Sequence, residues 1–274
     1  MEKNNLAAQA SIATRTGFWK GCRCGGNRKS RKPTGCKSIV TNDPVEKPDL
    51  AIYSQEEALN NGTVPNWDSP DIVTNSWRPF RLRNEASVKV RNLSATVPAI
   101  NTLVHYAISP FGIGTQQEHK LTKVVNLAPN QEIELLFPLD QATLDGDPRV
   151  GIHILIEHPH DPNQINNYGS QVHDGGYTTE SGRNFSVQIP VFNNSNFNRQ
   201  INLSLMPTDV IASLNTVSHV FAPYEQLIVT LAIEIPGFLN GAPDAVINRA
   251  VTVVGRLNDN TLVGGVTRLI RIDN

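Results

Sequence analysis

Cysteine is scarce in this chain. Only three occur in 274 residues, and all lie between Cys22 and Cys36. No disulfide can therefore staple anything beyond that point, and stability there must come from packing. Aromatic residues amount to 6%. No apolar run approaches the roughly 18 residues of a membrane-spanning helix. The first residues lack the apolar core of a secretory signal, since Asn4–Thr14 holds only Leu6 and Ile12 as larger aliphatics. Neither sign of charge dominates: the net charge is −1 and the pI about 6.7, which excludes a general polyanion binder. No G-x-S-x-G, H-E-x-x-H or phosphate-binding loop is present, so the familiar signatures of hydrolases, zinc proteases and nucleotide enzymes are missing.

The even charge conceals an asymmetry. Residues 1–40 hold nine basic residues and one acid, a charge of +8 that leaves −9 on the rest. Low hydrophobicity, high charge and glycine over 17–35 cannot offset the entropy of ordering. This predicts a disordered basic arm over residues 1–47, a docking or targeting extension read through Phe18, Trp19, Arg23, Arg28, Lys29, Arg31 and Lys32. Cys22, Cys24 and Cys36 could supply three thiolates to zinc, but the C-x-C spacing and absence of histidine favour free thiols. Phosphate contacts and stacking could recruit nucleic acid. No nucleic-acid fold accompanies the arm, and that partner is not expected.

From residue 85 the apolar period is two. Val88 and Val90 alternate with Lys89 and Arg91; Val104, Tyr106 and Ile108 share one face; Ile133, Leu135 and Phe137 oppose Glu132 and Glu134; Val150, Ile152, Ile154 and Ile156 form another stripe. The second half continues with Phe185–Val191, Ile201–Leu205, Leu227–Ile235 and Val251–Val253. Asn258-Asp259-Asn260 suits a hairpin tip. Gly264 and Gly265 predict a bulge or a close backbone approach. The one helix expected is short, around Asp209–Leu214, with Asp209 as its cap. Eighteen prolines and nineteen glycines fit many loops. The expectation is an all-β chain of two tandem sandwiches, residues 48–180 and 181–274, joined through 182–192.

Several segments carry a family likeness: PDLAIYS (48–54), GTVPNWDSPDIV (62–73), ASVKVRNLSAT (86–96), GRNFSVQIP (182–190), and FAPYEQLIVTLAIEIP with its Pro-centred turn before a long strand. Together these resemble bacterial immunoglobulin-like modules of the CARDB type, over about 220 residues. The resemblance implies spacers, adhesive surfaces or carriers in bacterial surface, secreted and assembly proteins. It brings no catalytic residue.

Candidate sites are few. Residues 156–177 read as a long loop, with His158, His160, Asp161, His173 and Asp174 as ligands suited to zinc. Asp140, Asp145 and Asp147 offer oxygen ligands for calcium, though without the EF-hand spacing. Trp67 and Trp77 flank a polar turn and would anchor a partner if exposed, or plug the sandwich edge if not. Asn-x-Ser/Thr tripeptides begin at Asn61, Asn92, Asn184, Asn193 and Asn202, and would matter only in a eukaryotic secretory route. These features predict a non-enzymatic bacterial interaction protein with a protein partner, no required cofactor and no membrane span, cytoplasmic or exported by a dedicated machine. Exposed edge strands leave self-assembly open. The competing reading is cargo of a contractile injection apparatus, with metal-dependent hydrolysis in the 156–177 segment.

Overall fold

Period-two alternation becomes strand throughout the part of the chain that can be described. The computed structural model describes residues 46–74, 85–139, 149–179, 183–237 and 246–273, with backbone alone for 173–179, 246–247 and 273. The basic arm with its three cysteines, Trp77, and the calcium candidates Asp140, Asp145 and Asp147 lie outside the described residues.

The first half supplies β1 (Leu50–Ala51), α1 (Gln55–Asn60), β2 (Ile72–Val73), β3 (Glu85–Asn92), β4 (Ala99–Pro110), β5 (Glu118–Leu127), β6 (Glu132–Pro138), β7 (Val150–Glu157) and β8 (Tyr168–Thr179). The second half supplies β9 (Asn184–Phe192), β10 (Arg199–Leu205), β11 (Ile211–Leu214), β12 (Ser218–Phe221), β13 (Gln226–Glu234), β14 (Val246–Leu257) and β15 (Leu262–Asp273). In the first sandwich, β1 and β2 pair with one edge of β3 and β6 with the other. The facing layer is part of an eight-stranded sheet ordered β12-β10-β14-β15-β8-β7-β4-β5. In the second sandwich, β11-β13-β9 covers the other part of that sheet. All pairings between these strands are antiparallel except β15 with β8.

Two cores result. One gathers Val88, Val90, Val104, Tyr106, Phe137, Ile152 and Ile154; the other gathers Ile189, Val191, Ile201, Val229, Leu231, Val253 and Val266. The inward residues are those the alternation selects, because a strand's side chains alternate faces. Tyr106 stacks on Phe137 with centroids 4.8 Å apart and donates its hydroxyl to the Pro138 carbonyl at 3.0 Å. Lys123 points inward from β5, donates to the Leu136 carbonyl at 2.6 Å and lies over the Phe137 ring. An inward charge of this kind guards a free sheet edge. On the opposite flank, Asp71 takes both Arg91 guanidinium nitrogens at 2.6 Å and the Tyr53 amide at 2.6 Å, which ties β2 and the segment after β1 to β3. The paired carboxylates Asp71 and Glu132 raise the Arg91 pKa.

The two sandwiches repeat one plan. β3 pairs with β6 as β9 pairs with β13; β4 sits between β5 and β7 as β10 sits between β12 and β14. A shared corner closes each. Asn92, 1% exposed, donates Nδ2 to the carbonyls of Val97, Leu127 and Ala128; Asn193, equally buried, donates to those of Phe197 and Ala222. Each corner faces an Ala-Pro turn whose third residue takes positive φ, 57° at Asn130 and 58° at Tyr224. In each turn the next side chain, Gln131 or Glu225, accepts from the alanine amide.

Strand β8 joins the sandwiches. Its first residues, Tyr168–Val172, pair with β7, and its later ones pair in parallel with β15 from Thr267↔His173 onward. Residues 45–274 form one compact unit. The expected junction at 182–192 falls in β9, which pairs with β13 and touches the first half through an isolated bridge between Ile113 and Val191.

Two expectations are corrected. Asp209–Leu214 is not a helix: Ile211–Leu214 is a strand against β13, with Ala212 and Leu214 packed on the core and Ile211 and Ser213 outside. The β-branched Val210 and Ile211 and this alternation outweigh the capping residue. The α-helix among the described residues is α1, whose Ser54 hydroxyl accepts from the Glu57 amide. Ser54-x-x-Glu57 is the usual start signal. Finally, residues 156–177 are not one long loop, since Tyr168 onward is β8 and the connection narrows to 158–167.

Candidate functional site

The end of β4 leads into Phe111–Gln117, a segment wedged between the sandwiches. Ile113 donates its amide to the Pro190 carbonyl and accepts from the Phe192 amide, both at 2.9 Å. Gly112 (φ 144°) and Gly114 (φ 71°) make this approach possible. A Cβ on Gly112 would lie 2.5 Å from the Pro190 carbonyl oxygen, and one on Gly114 2.3 Å from that of Phe192. Ile113 is fully buried in the second core, in space that a side chain at Gly255 would fill. The segment is thus a rigid wall. Depressions of about 760, 520 and 240 Å³ adjoin it, and Thr115 and Gln117 line all three. The largest runs past Phe111, Lys120, Arg149, Pro190 and Phe192.

Behind the wall lies a buried polar chain. On the outward face of the large sheet, His153 of β7 sits between Ser109 of β4 and Tyr168 of β8. His153 Nε2 is 2.8 Å from Ser109 Oγ, and Nδ1 is 2.7 Å from the Tyr168 hydroxyl. Gly151 leaves the room: a Cβ there would lie 2.3 Å from Ser109 Oγ. Thr115 donates to Ser109 Oγ at 3.1 Å, and Gln117 Nε2 donates to the Tyr168 hydroxyl at 3.0 Å. Burial lowers the His153 pKa to about 4 and pushes that of Tyr168 up to about 12. His153 is therefore neutral at pH 7.

Valence limits the proton positions. The Tyr168 oxygen accepts from Gln117, while the Ser170 hydroxyl reaches Gln55 Oε1 at 3.4 Å. Ser109 Oγ lies 3.2 Å from the Pro110 carbonyl, which Thr115 also reaches at 3.0 Å. A neutral imidazole carries one proton, so the chain runs either from Tyr168 through His153 to Ser109 or from Ser109 through His153 to Tyr168. Gln55 completes the cavity wall, donating to the carbonyls of Asn66 and Ser170 and accepting from the Ser170 amide.

The residues singled out from sequence fall elsewhere. Trp67 is 2% exposed, so of the two readings offered by the sequence it is the plug and not the partner anchor. Its ring lies against Gly265, where a Cβ would approach to 2.5 Å, its amide donates to Thr267 Oγ1, and its carbonyl accepts from Val172. It plugs the seam between β8 and β15. The close approach and the bulge anticipated at Gly264-Gly265 are both present, with the register shifting at Gly255/Arg256. Asp161 is buried, and its oxygens accept from the amides of Leu50 and Asn163 at 3.0 Å. His158 and His160 lie in the connection after β7, with rings 5.8 Å apart. His173 and Asp174 belong to β8, and their side chains lie outside the description. Among the described residues no group of three or more histidine, cysteine or acidic side chains is placed to hold a metal. No helix among them is long and apolar enough to cross a membrane.

No protein-family model matches this chain, and no curated protein does. Among solved structures it is similar to Escherichia coli alpha-2-macroglobulin activated by porcine elastase, at TM-score 0.29 and 10% identity. That likeness covers 83% of this chain and 22% of the other. It is also similar to the Vibrio cholerae VesB protease, at TM-score 0.25 and 11% identity, over 65% of this chain and 64% of that one. The chain spans less than two thirds of either structure, and likeness this slight carries no argument about function.

Proposed function

We propose that this chain is a non-enzymatic interaction protein, a tandem immunoglobulin-like sandwich of the CARDB kind that offers its junction groove to a protein or surface partner. The observation that carries the reading is the rigid wall 111–117, pinned to β9 and bordered by a groove of about 760 Å³. Preformed concave surfaces at the meeting of two folded units are the usual place for recognition. The basic arm is an address that loads, exports or docks the folded part.

The test is a comparative pull-down from native lysate and culture medium. Three baits are used: the full chain, residues 41–274, and the full chain carrying Gln116→Arg at the groove's rim. A partner recovered by the first two and lost with the third supports the reading. A partner recovered only with the arm present, and indifferent to Gln116→Arg, sinks the groove as its site.

A further inference from the structure

We propose that the depression of about 520 Å³ beside the wall 111–117 is a binding site for a small organic acid, with Arg199 taking the carboxylate and an apolar shelf taking the rest of the molecule. The first observation is charge. Residues 41–274 carry a net −9, yet the described residues that line this depression include no aspartate or glutamate, and their one charge is Arg199. An anion that the body as a whole repels is favoured here.

The second observation is an unused set of donors. The Arg199 guanidinium lies 4.5 Å over the ring of Phe197, which is 53% exposed. Stacking of this kind occupies a face of the guanidinium and leaves its N–H edge for an acceptor. Among the described residues no group accepts from that edge, and Nε is shut away from water without a partner. The side-chain amides of Gln116 and Asn194, both exposed at the rim, likewise make no hydrogen bond to a described residue. The field of Arg199 reaches Asp259 at the neighbouring hairpin tip, but no ion pair joins the two; that carboxylate accepts the Thr261 amide instead. The third observation is the lining beside the guanidinium, where Phe192, Ile201, Leu257, Leu262 and Val263 border the same space. Charge-assisted bonds would fix a carboxylate at one end and apolar burial would favour a short hydrocarbon body at the other. The volume lies in the range of small-molecule sites.

This site needs no protein partner, so its failure leaves the groove reading standing. The experiment is an NMR titration of the whole chain at pH 7 with hexanoate, with hexanamide as the uncharged counterpart and inorganic phosphate as the plain anion. Hexanoate should shift the Arg199 Nε–H signal and the Leu262 and Val263 amides to saturation, with a Kd of about 1–10 mM for so small a ligand. Hexanamide and phosphate should each bind about tenfold more weakly, the first for want of charge and the second for want of hydrocarbon. Arg199→Gln should weaken hexanoate by about tenfold. Asp259→Asn keeps an oxygen for the Thr261 amide and removes a nearby negative charge, so it should tighten hexanoate by about threefold. The proposal is overturned by hexanoate that gives no saturating shift, by hexanamide or phosphate binding as tightly, by Arg199→Gln that binds as the wild type does, or by Asp259→Asn that fails to gain affinity.

Discussion

Asn92→Ala is the sharpest test of how this fold holds together. Asn92 is 1% exposed and joins three parts of the first sandwich through one amide. Its Nδ2 donates to Val97 at 2.9 Å, Ala128 at 3.2 Å and Leu127 at 3.4 Å; its Oδ1 accepts from Ser94 at 3.1 Å and Asp49 at 3.4 Å. Truncation leaves those carbonyls and amides facing a methyl group. Counting only the three contacts of 3.2 Å or less, at about 1 kcal/mol each, gives a loss of about 3 kcal/mol. That is a large share of the 5–15 kcal/mol typical of a folded domain. Asn92→Asp should cost at least as much, because a carboxylate would meet three carbonyl oxygens where an NH₂ now donates. The assay is urea unfolding read by tryptophan fluorescence and circular dichroism, with the m-value checked for constancy. A cost below about 0.5 kcal/mol for Asn92→Ala would refute the claim that this side chain is the corner's keystone, since that is the range of an ordinary surface change.

Trp67→Ala should cost about 3–5 kcal/mol, as for a buried aromatic, measurable in the same urea titration. Gly151→Ala drives a methyl onto Ser109 Oγ and His153 Nε2 and should cost about 1–3 kcal/mol, with the His153 ring shifts displaced in NMR. Stability of the wild type should decline as pH falls from about 6.5 toward 4. Over that window the unfolded state takes a proton on His153 while the folded state, with its pKa lowered to about 4, does not; the loss is on the order of 3 kcal/mol and should be smaller in His153→Gln. His158→Ala with His160→Ala should change stability by less than about 0.5 kcal/mol, because neither ring is built into the core; a larger loss on zinc removal from wild type than from the variant would contradict this.

The strands were legible because burial on one face imposes a period of two, and each inward residue named from sequence in β3, β4 and β7 is inward or at the sheet margin. Less legible was what depends on distant pairing. Tyr168–Thr179 carries Gly169, Gly175 and Gly176 among polar residues and shows no apolar stripe, so it reads as loop. It is a strand because β7 and β15 supply partners from both halves of the chain. Trp67 was expected to plug an edge if buried, but the seam it fills could not be read, since Gly265 lies almost two hundred residues away. The repeated corner did leave a signal. Asn92-Leu-Ser94 and Asn193-Asn-Ser195 look like glycan acceptors, yet each asparagine is turned inward, and Ala128-Pro129 and Ala222-Pro223 follow at similar distances. Ser109, His153 and Tyr168 were invisible as a set, because only sheet register brings β4, β7 and β8 side by side.

The repeat itself locates what is special. Both sandwiches share the strand plan, the buried asparagine and the Ala-Pro turn, which are solutions to folding and would be needed whatever the protein does. The corners differ in charge: Glu225 stands where the first has Gln131, and the Ala222 amide, then His219, hold its carboxyl below the usual range. The wall 111–117, the Trp67 plug and the Ser109–His153–Tyr168 chain are different. β14 and β15, the counterparts of β7 and β8, contain no histidine or tyrosine, so the polar chain was not copied with the fold. These unrepeated features all gather where β8 passes from one sandwich to the other. Burying a histidine, a tyrosine and a serine there costs desolvation that apolar side chains would avoid. A cost borne once, at the junction, and not in the second copy belongs to what the junction does, and that is why the groove and the polar chain behind it, and not the histidines of the 158–167 connection, are the first places to mutate.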